Sequence, residues 1–400
     1  MLKFEGMEVL RPGGADYEAA RAPQIERFAQ TRPSLIVRCR TAKDVAEALT
    51  LAHGQPFAVR SGGHCFAGRS STGGVLIDTS GLNEIAVGDG TVTVGAGAKL
   101  ADIYDALEPE RTIAGGCGPT VGIAGLALGG GLGVLGRRYG TTSDQVTAAE
   151  IVLASGEVVD ADDDLLWALR GSGGGQFGVV TSLRLKTVPA PPTQCFHITH
   201  PLDEAAALID WWQRVSPDAP DEIAASLIVR PDGVHLFGVG DIDAETTAPM
   251  PYREAKRWLN ENGPPEQEAD PDERSKSEFF RELLSAETIQ ALVEHFAQGT
   301  GARELDFSPW AGAYNRTQPD ATAFPHRDAR FLLKHTGAPD WVERAYAITH
   351  PHGTGGAYVN FPDPYLEDAL TAYHGPNLAR LREVKAKYDP GNRFRFPQSL

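Results

Sequence analysis

Along the first 190 residues, short apolar runs of strand length alternate with stripes of helical period. Residues 35–39, 57–60 and 75–78 are compact runs suited to strands, and Val92-Thr-Val94 alternates as a strand does. Residues 151–153, 158–159 and 179–185 add further strands. Thr41-Ala-Lys-Asp44 has the form of a capping box, and it opens a helix with Val45, Leu49 and Ala52 on one face. Leu100, Ile103, Tyr104 and Leu107 mark a second amphipathic helix.

Pro189-Ala-Pro-Pro192 reads as a linker. Beyond it, Leu208, Ile209, Trp212 and Val215 form a helical stripe, and residues 227–229 and 234–239 flank Pro231-Asp-Gly233 as a hairpin. From 241 to about 304 the chain is charged. It reads as mostly helical, solvated surface, with a loop near Gly263-Pro-Pro265. Leu378, Leu381 and Val384 return to the earlier helical style. The expected division is a first unit at 1–194, an inserted unit at 195–345, and a segment at 346–400 that rejoins the first.

Composition narrows the function classes. A length of 400 residues predicts two or three folding units. Hydrophobic residues at 42% and charged residues at 22% exclude global disorder. The net charge of −16 argues against nucleic acid and anionic membrane as partners. Cys39, Cys65, Cys117 and Cys195 are widely spaced with no CxxC pair, which excludes a disulfide framework and a structural zinc site. His350-Pro-His352 is the only close histidine pair, too little for a metal, so none is expected. The uncharged stretch 117–136 is long enough for a membrane span, but Pro119 and eight glycines make it a poor one. No apolar run follows Lys3, so no signal peptide is expected, and the chain reads as soluble and cytoplasmic.

The 44 glycines concentrate in four places. These are Arg60-Ser-Gly-Gly-His64, Gly115-Gly-Cys-Gly-Pro-Thr-Val-Gly122, Gly129-Gly-Gly-Leu-Gly133 and Gly171-Ser-Gly-Gly-Gly-Gln-Phe-Gly178. Such segments either make tight turns at strand ends or let backbone N–H groups converge on an anion such as a pyrophosphate. Two GxGxxG matches, from Gly131 and from Gly173, lack the context of a nicotinamide-binding fold. The first precedes a poor helix start and the second precedes a strand. Taken alone, His64 would be a turn histidine and Cys117 a small buried hydrophobe.

Together these segments resemble the berberine bridge enzyme-like oxidases of the vanillyl-alcohol oxidase superfamily. Ala58-Val-Arg-Ser-Gly-Gly-His64 is similar to the family's flavin-attachment segment. Pro119-Thr-Val-Gly-Ile-Ala-Gly125 and Gly129-Gly-Gly-Leu-Gly133 look like its second flavin loop. Asp164-Leu-Leu-Trp-Ala-Leu-Arg-Gly171 through Phe177-Gly-Val-Val-Thr181 resembles the end of its FAD domain. Tyr358-Val-Asn-Phe-Pro-Asp363 and Tyr388-Asp-Pro-Gly-Asn392 through Gln398-Ser399 resemble its C-terminal signature.

The resemblance implies an α+β fold: a PCMH-type FAD-binding domain of two subdomains, with an inserted α/β substrate domain of antiparallel sheet and helices. It implies FAD attached covalently through His64, with Cys117 as a second link. The family usually has cysteine directly before Pro-Thr-Val-Gly, where this chain has Gly118. Arg60, Ser61, Gly62, Gly63, Gly68, Thr120, Val121, Gly122, Gly125, Gly130, Gly133, Gly178, Val180, Asn360 and Asn392 are the remaining residues expected around the cofactor. Val121 falls where small residues go with oxygen access, which favours an oxidase releasing hydrogen peroxide.

Phe66, Leu132, Tyr358 and Phe361 are expected to line the substrate pocket. Phe361 occupies the position where many relatives carry a tyrosine base, and a phenyl ring cannot take a proton. Tyr358 is then the first candidate for acid–base work and His326 the second. With Leu126 where plant members have histidine, the pocket suits an aromatic or polycyclic substrate over a carbohydrate. The expected activity is hydride removal from a small alcohol-, amine- or ring-bearing metabolite, with O2 as acceptor, by a monomer or homodimer. The rival readings are a dehydrogenase using another acceptor and a flavoprotein or binding relative that has lost its base.

Overall fold

The structure is a computed structural model and describes residues 7–107, 109–264 and 272–400. Three sheets organise it. The first has four strands in the order Glu8–Leu10, Leu35–Arg38, Val75–Asp78, Phe57–Arg60, and the last three are parallel. Helix Ala42–Leu51 makes the crossover between Leu35–Arg38 and Phe57–Arg60. Its capping box forms as the sequence predicts: Asp44 N–H donates to Thr41 Oγ1 at 3.1 Å, and Thr41 N–H donates to Asp44 Oδ2 at 3.0 Å. Val45, Ala48 and Leu49 form its buried face.

The second sheet is antiparallel, in the order Ile85–Gly88, Thr91–Gly95, Val179–Lys186, Val146–Val152, Val158–Asp160. Helices Leu100–Leu107, Ile123–Leu128, Asp163–Leu169 and Leu378–Tyr388 contribute to the core beside it, where Val94, Ile103, Leu183 and Leu381 are fully buried. Each such side chain contributes roughly 1.5–3 kcal/mol relative to exposure. The late helix Leu378–Tyr388 thus joins a core made mostly by residues before 190.

The third sheet has six antiparallel strands, all drawn from residues 195–337. Their order is Cys195–His200, Gly233–Val239, Ala224–Arg230, Arg303–Pro309, Phe331–Gly337, Arg274–Phe280. The predicted hairpin forms, with Arg230 opposite Gly233. Helices Ala205–Val215, Ala286–Gln298 and Pro339–Thr349 share one apolar core with the sheet, made of Ile209, Leu292, Val342, Leu227, Leu305 and Leu333. Helix Tyr252–Glu261 packs through Ala255 and Leu259 on Cys195 and Val239, which belong to the opposite face.

One expectation holds only in part. The charged stretch 241–304 forms helices Tyr252–Glu261 and Ala286–Gln298, but Arg274–Phe280 is a strand with five consecutive buried residues and not solvated helix. Its buried charges have partners: Lys276 Nζ lies 3.3 Å from the buried Asp363 and 3.2 Å from the half-exposed Glu343, and Glu278 lies 3.0 Å from the half-exposed His350 ring. Charge there reflects partners from distant segments and not solvent. Of the predicted loop, Gly263 and Pro264 form a bend, and Pro265 lies outside the described residues. Among the described residues no helix is long and apolar enough to cross a membrane.

Candidate functional site

A cavity of about 430 Å3 opens between the first two sheets and the C-terminal segment. Backbone lines much of it, at Ser61–His64, Val121–Gly122, Gly173–Gly175 and Gly178. Strand Phe57–Arg60 runs directly into the first of these segments and brings it to the cavity edge. Small residues are needed because two backbones meet there. A Cβ on Gly62 would lie 2.2 Å from Gly122 N, inside contact distance. Gly125 shows the complementary feature: it lines the cavity, and a Cβ there would meet nothing within 4 Å. Its missing side chain is cavity volume.

Of the expected cofactor residues, Ser61, Gly62, Gly63, His64, Val121, Gly122, Gly125, Gly178, Val180 and Asn360 line this cavity. So do all four expected substrate-pocket residues, Phe66, Leu132, Tyr358 and Phe361. Phe66 and Phe361 meet edge to face at 6.0 Å, and Phe361 meets Tyr358 at 5.0 Å. Phe57 and Phe394, 5.7 Å apart, line another part of the wall.

His64 holds its ring by a hydrogen bond between Nε2 and Thr120 Oγ1 at 2.9 Å. Burial pushes its pKa below the usual imidazole value, the Thr120 bond opposes this, and nearby Lys99 adds to it. The ring is therefore held neutral, with a lone pair, at physiological pH. The Tyr358 hydroxyl accepts from Gly131 N–H at 2.8 Å and from Asn360 Nδ2 at 3.1 Å. Burial lifts its pKa to about 12, against those two donors.

The other expected residues stand off the cavity wall. Arg60 is buried and donates to the carbonyls of Ser70, Ala20 and Arg21, so it clips the segment from behind. Thr120 acts through His64. Gly68 closes a turn on Cys65, with its N–H donating at 3.0 Å. Gly130 lies beside Phe324 and Tyr358, and Gly133 N–H donates to Tyr314 Oη at 3.2 Å. Asn392 forms the turn after the last helix, with its N–H on Asp389 O at 2.9 Å.

Two further candidates stand off the cavity wall. His326 is not on the cavity wall; its Nε2 sits 3.2 Å from Tyr373 O, and its ring stacks on Phe279 at 4.3 Å. Burial drives its pKa to about 3, so it is a neutral ring packed behind the wall. Cys117 is also off the wall. Its sulfur lies 3.7 Å from Lys256 Nζ, on the far side of its loop.

Residues that sequence reasoning missed include Arg69, Phe394, Arg395 and Phe396, all on the wall. Arg69 donates to Gln398 Oε1 at 2.7 Å, which ties the loop after His64 to the end of the chain. The alternating Arg393-Phe-Arg-Phe396 carried a weak strand-like signal for this. Lys385 donates to the Gln176 and Phe394 carbonyls and to Asp389, and so fixes that end in place.

The arrangement fits a flavin dinucleotide. Glycine backbone can approach a pyrophosphate, an unpaired side-chain volume remains at Gly125, and aromatic walls suit planar rings. Comparison with known proteins agrees. A family profile described as an FAD binding domain matches residues 33–162, and one described as berberine and berberine like matches 357–400. Both stretches supply cavity wall.

The chain is 31% identical over 419 residues to the uncharacterized FAD-linked oxidoreductase YvdP of Bacillus subtilis (strain 168), covering 93% of each. It is 27% identical over 433 residues to tetrahydroberberine oxidase of Berberis wilsoniae, covering 87% of this chain and 81% of that one. The solved structure of Physcomitrella patens BBE-like 1 matches with a TM-score of 0.87 at 27% identity, covering 98% of this chain and 96% of that one. The expected fold class is borne out by that likeness.

Proposed function

The chain belongs to the berberine bridge enzyme-like family of FAD-linked oxidoreductases, and on that premise we propose that it is an oxidase with its FAD tethered at His64. The observation that carries this reading is a neutral imidazole on the wall of a glycine-lined cavity whose other wall is Phe66, Leu132, Tyr358 and Phe361. Thr120 engages Nε2, which leaves Nδ1 as the nitrogen to bond the flavin. When bound, FAD supplies the hydride acceptor and passes the electrons on.

The protein's own groups then bind, orient and handle the proton. Ser61–His64, Val121, Gly122, Ala124 and Gly125 would hold the cofactor along this wall. Phe66, Leu132, Leu126 and Phe361 exclude water and favour an apolar ring-bearing alcohol or amine over a sugar. Tyr358 is the polar group among them. Its donors offset only part of the burial penalty and leave its pKa at about 12, so it takes the proton that a substrate O–H or N–H releases most readily at high pH. Val121 on the wall is small enough to leave O2 a path, and the oxidase name of the Berberis relative supports the same acceptor.

The test is direct. Purified protein should be yellow, keep its colour on unfolding, and exceed its polypeptide mass by one FAD. His64→Ala should lose that added mass. With a substrate found by panel, one peroxide per turnover supports the oxidase. Turnover without peroxide, sustained by an artificial acceptor, would make it a dehydrogenase. Absence of flavin reduction by any panel member would favour the reading in which Phe361 marks a lost base.

A further inference from the structure

The Cys117 loop is held by a residue of the helix that packs on the third sheet. Lys256, on helix Tyr252–Glu261, is buried at 4% exposure. Its Nζ donates to Gly115 O at 2.8 Å, to Gly116 O at 3.1 Å and to Cys117 Sγ at 3.7 Å. Three acceptors match the three protons of an ammonium. The rings of Tyr104 and Tyr252 each present a face 5.1 Å from the nitrogen, and Tyr104 Oη donates to Gly116 O at 2.7 Å.

A lysine is rarely buried without such pairing, because desolvation of the charge is costly. Here burial pulls its pKa down and the Cys117 sulfur opposes that pull. The consequence is directional. Cys117 packs toward Cys195, Ala255 and Leu259, while Val121 and Gly122 of the same loop face the cavity. Cys117 sits at a bend and Pro119-Thr120 form a turn, with Gly118 between them, so the chain changes direction between the thiol and Val121.

We propose that Lys256 is a positioning residue that holds the Cys117 thiol out of the flavin cavity, so that Cys117 remains a free thiol in the holoenzyme. This rests on the reading that FAD occupies the cavity.

The experiment is peptide mapping of unfolded, digested holoenzyme by mass, together with iodoacetamide labelling of the native holoenzyme. The Cys117 peptide should carry no FAD and should be alkylated after unfolding; FAD on that peptide overturns the inference. In the native protein, Lys256→Met should lower the labelling rate of Cys117 by about tenfold, because the attacking sulfur loses the cation beside it. Lys256→Arg, which keeps a cationic donor, should stay near wild type. Equal rates in Lys256→Met and wild type would overturn the positioning role. If Lys256→Met does not fold, the wild-type map still decides. Absence of FAD from the His64 peptide would sink the proposed tether alone, and the labelling contrast would still judge Lys256.

Discussion

The hydroxyl of Tyr358 accepts two hydrogen bonds inside the protein, and this sets what its loss would do. Tyr358→Phe leaves Gly131 N–H and the Asn360 amide without their acceptor, at a cost of about 1–3 kcal/mol of stability. Substrate-driven flavin reduction should slow by about 100-fold or more, as for loss of a proton-handling group. Because the phenolate is the proton-accepting form and its pKa is near 12, the wild-type rate should still be rising at pH 9, and the variant should lose that rise. Stopped-flow absorbance across pH checks both. The residue types at this scale were legible in the chain: His64 after Gly62-Gly63, and Tyr358 two positions before Asn360, both lie on the cavity wall. Side-chain direction was not legible. Cys117 sits among glycines as His64 does, and only its contact with Lys256, 139 residues away, shows that it points elsewhere.

Glycine segments at strand ends were readable as elements because punctuation by glycine is a local property. Elements whose character depends on distant partners were not. Arg274–Phe280 looks like surface from its charges, and becomes interior once Lys276 meets Asp363 and Glu278 meets His350. The end of the chain is a similar case. Helix Leu378–Tyr388 holds Phe394 on the cavity wall through Lys385, which donates to Phe394 O at 2.7 Å, Gln176 O at 2.6 Å and Asp389 Oδ2 at 2.8 Å. Lys385→Met would strand the buried Asp389 carboxylate and should cost about 3–5 kcal/mol. It should also free Phe394, so flavin occupancy should fall along with melting temperature; absorbance ratio and calorimetry read the two. Full occupancy in a destabilised variant would show that Lys385 only holds the helix.

At the scale of the whole molecule, His326, His335 and His374 are buried rings whose neutral form is favoured. Burial drives His326 and His335 to about 3 and His374 to about 4, against 6.5 for the free ring. The unfolded chain therefore binds more protons than the folded one below pH 6.5, and stability is complete above that pH and lost as it falls. At pH 5 each histidine costs about 2 kcal/mol. The melting temperature should drop by roughly 5–10 °C between pH 7.5 and pH 5. Neither ring nitrogen of His374 has a hydrogen-bond partner among the described residues. His374→Leu should then cost nothing at pH 7.5 and shrink the acid drop by about a third, which calorimetry at the two pH values would show.

The bond between Arg69 and Gln398 joins residues 329 positions apart, and it has a consequence for biosynthesis. While the ribosome is still adding the final helix, His64 stands in a trough that lacks one side. On the reading that FAD fills this cavity, uptake should follow release of the finished polypeptide, and a product clipped short of Phe394 should keep His64 yet hold less flavin.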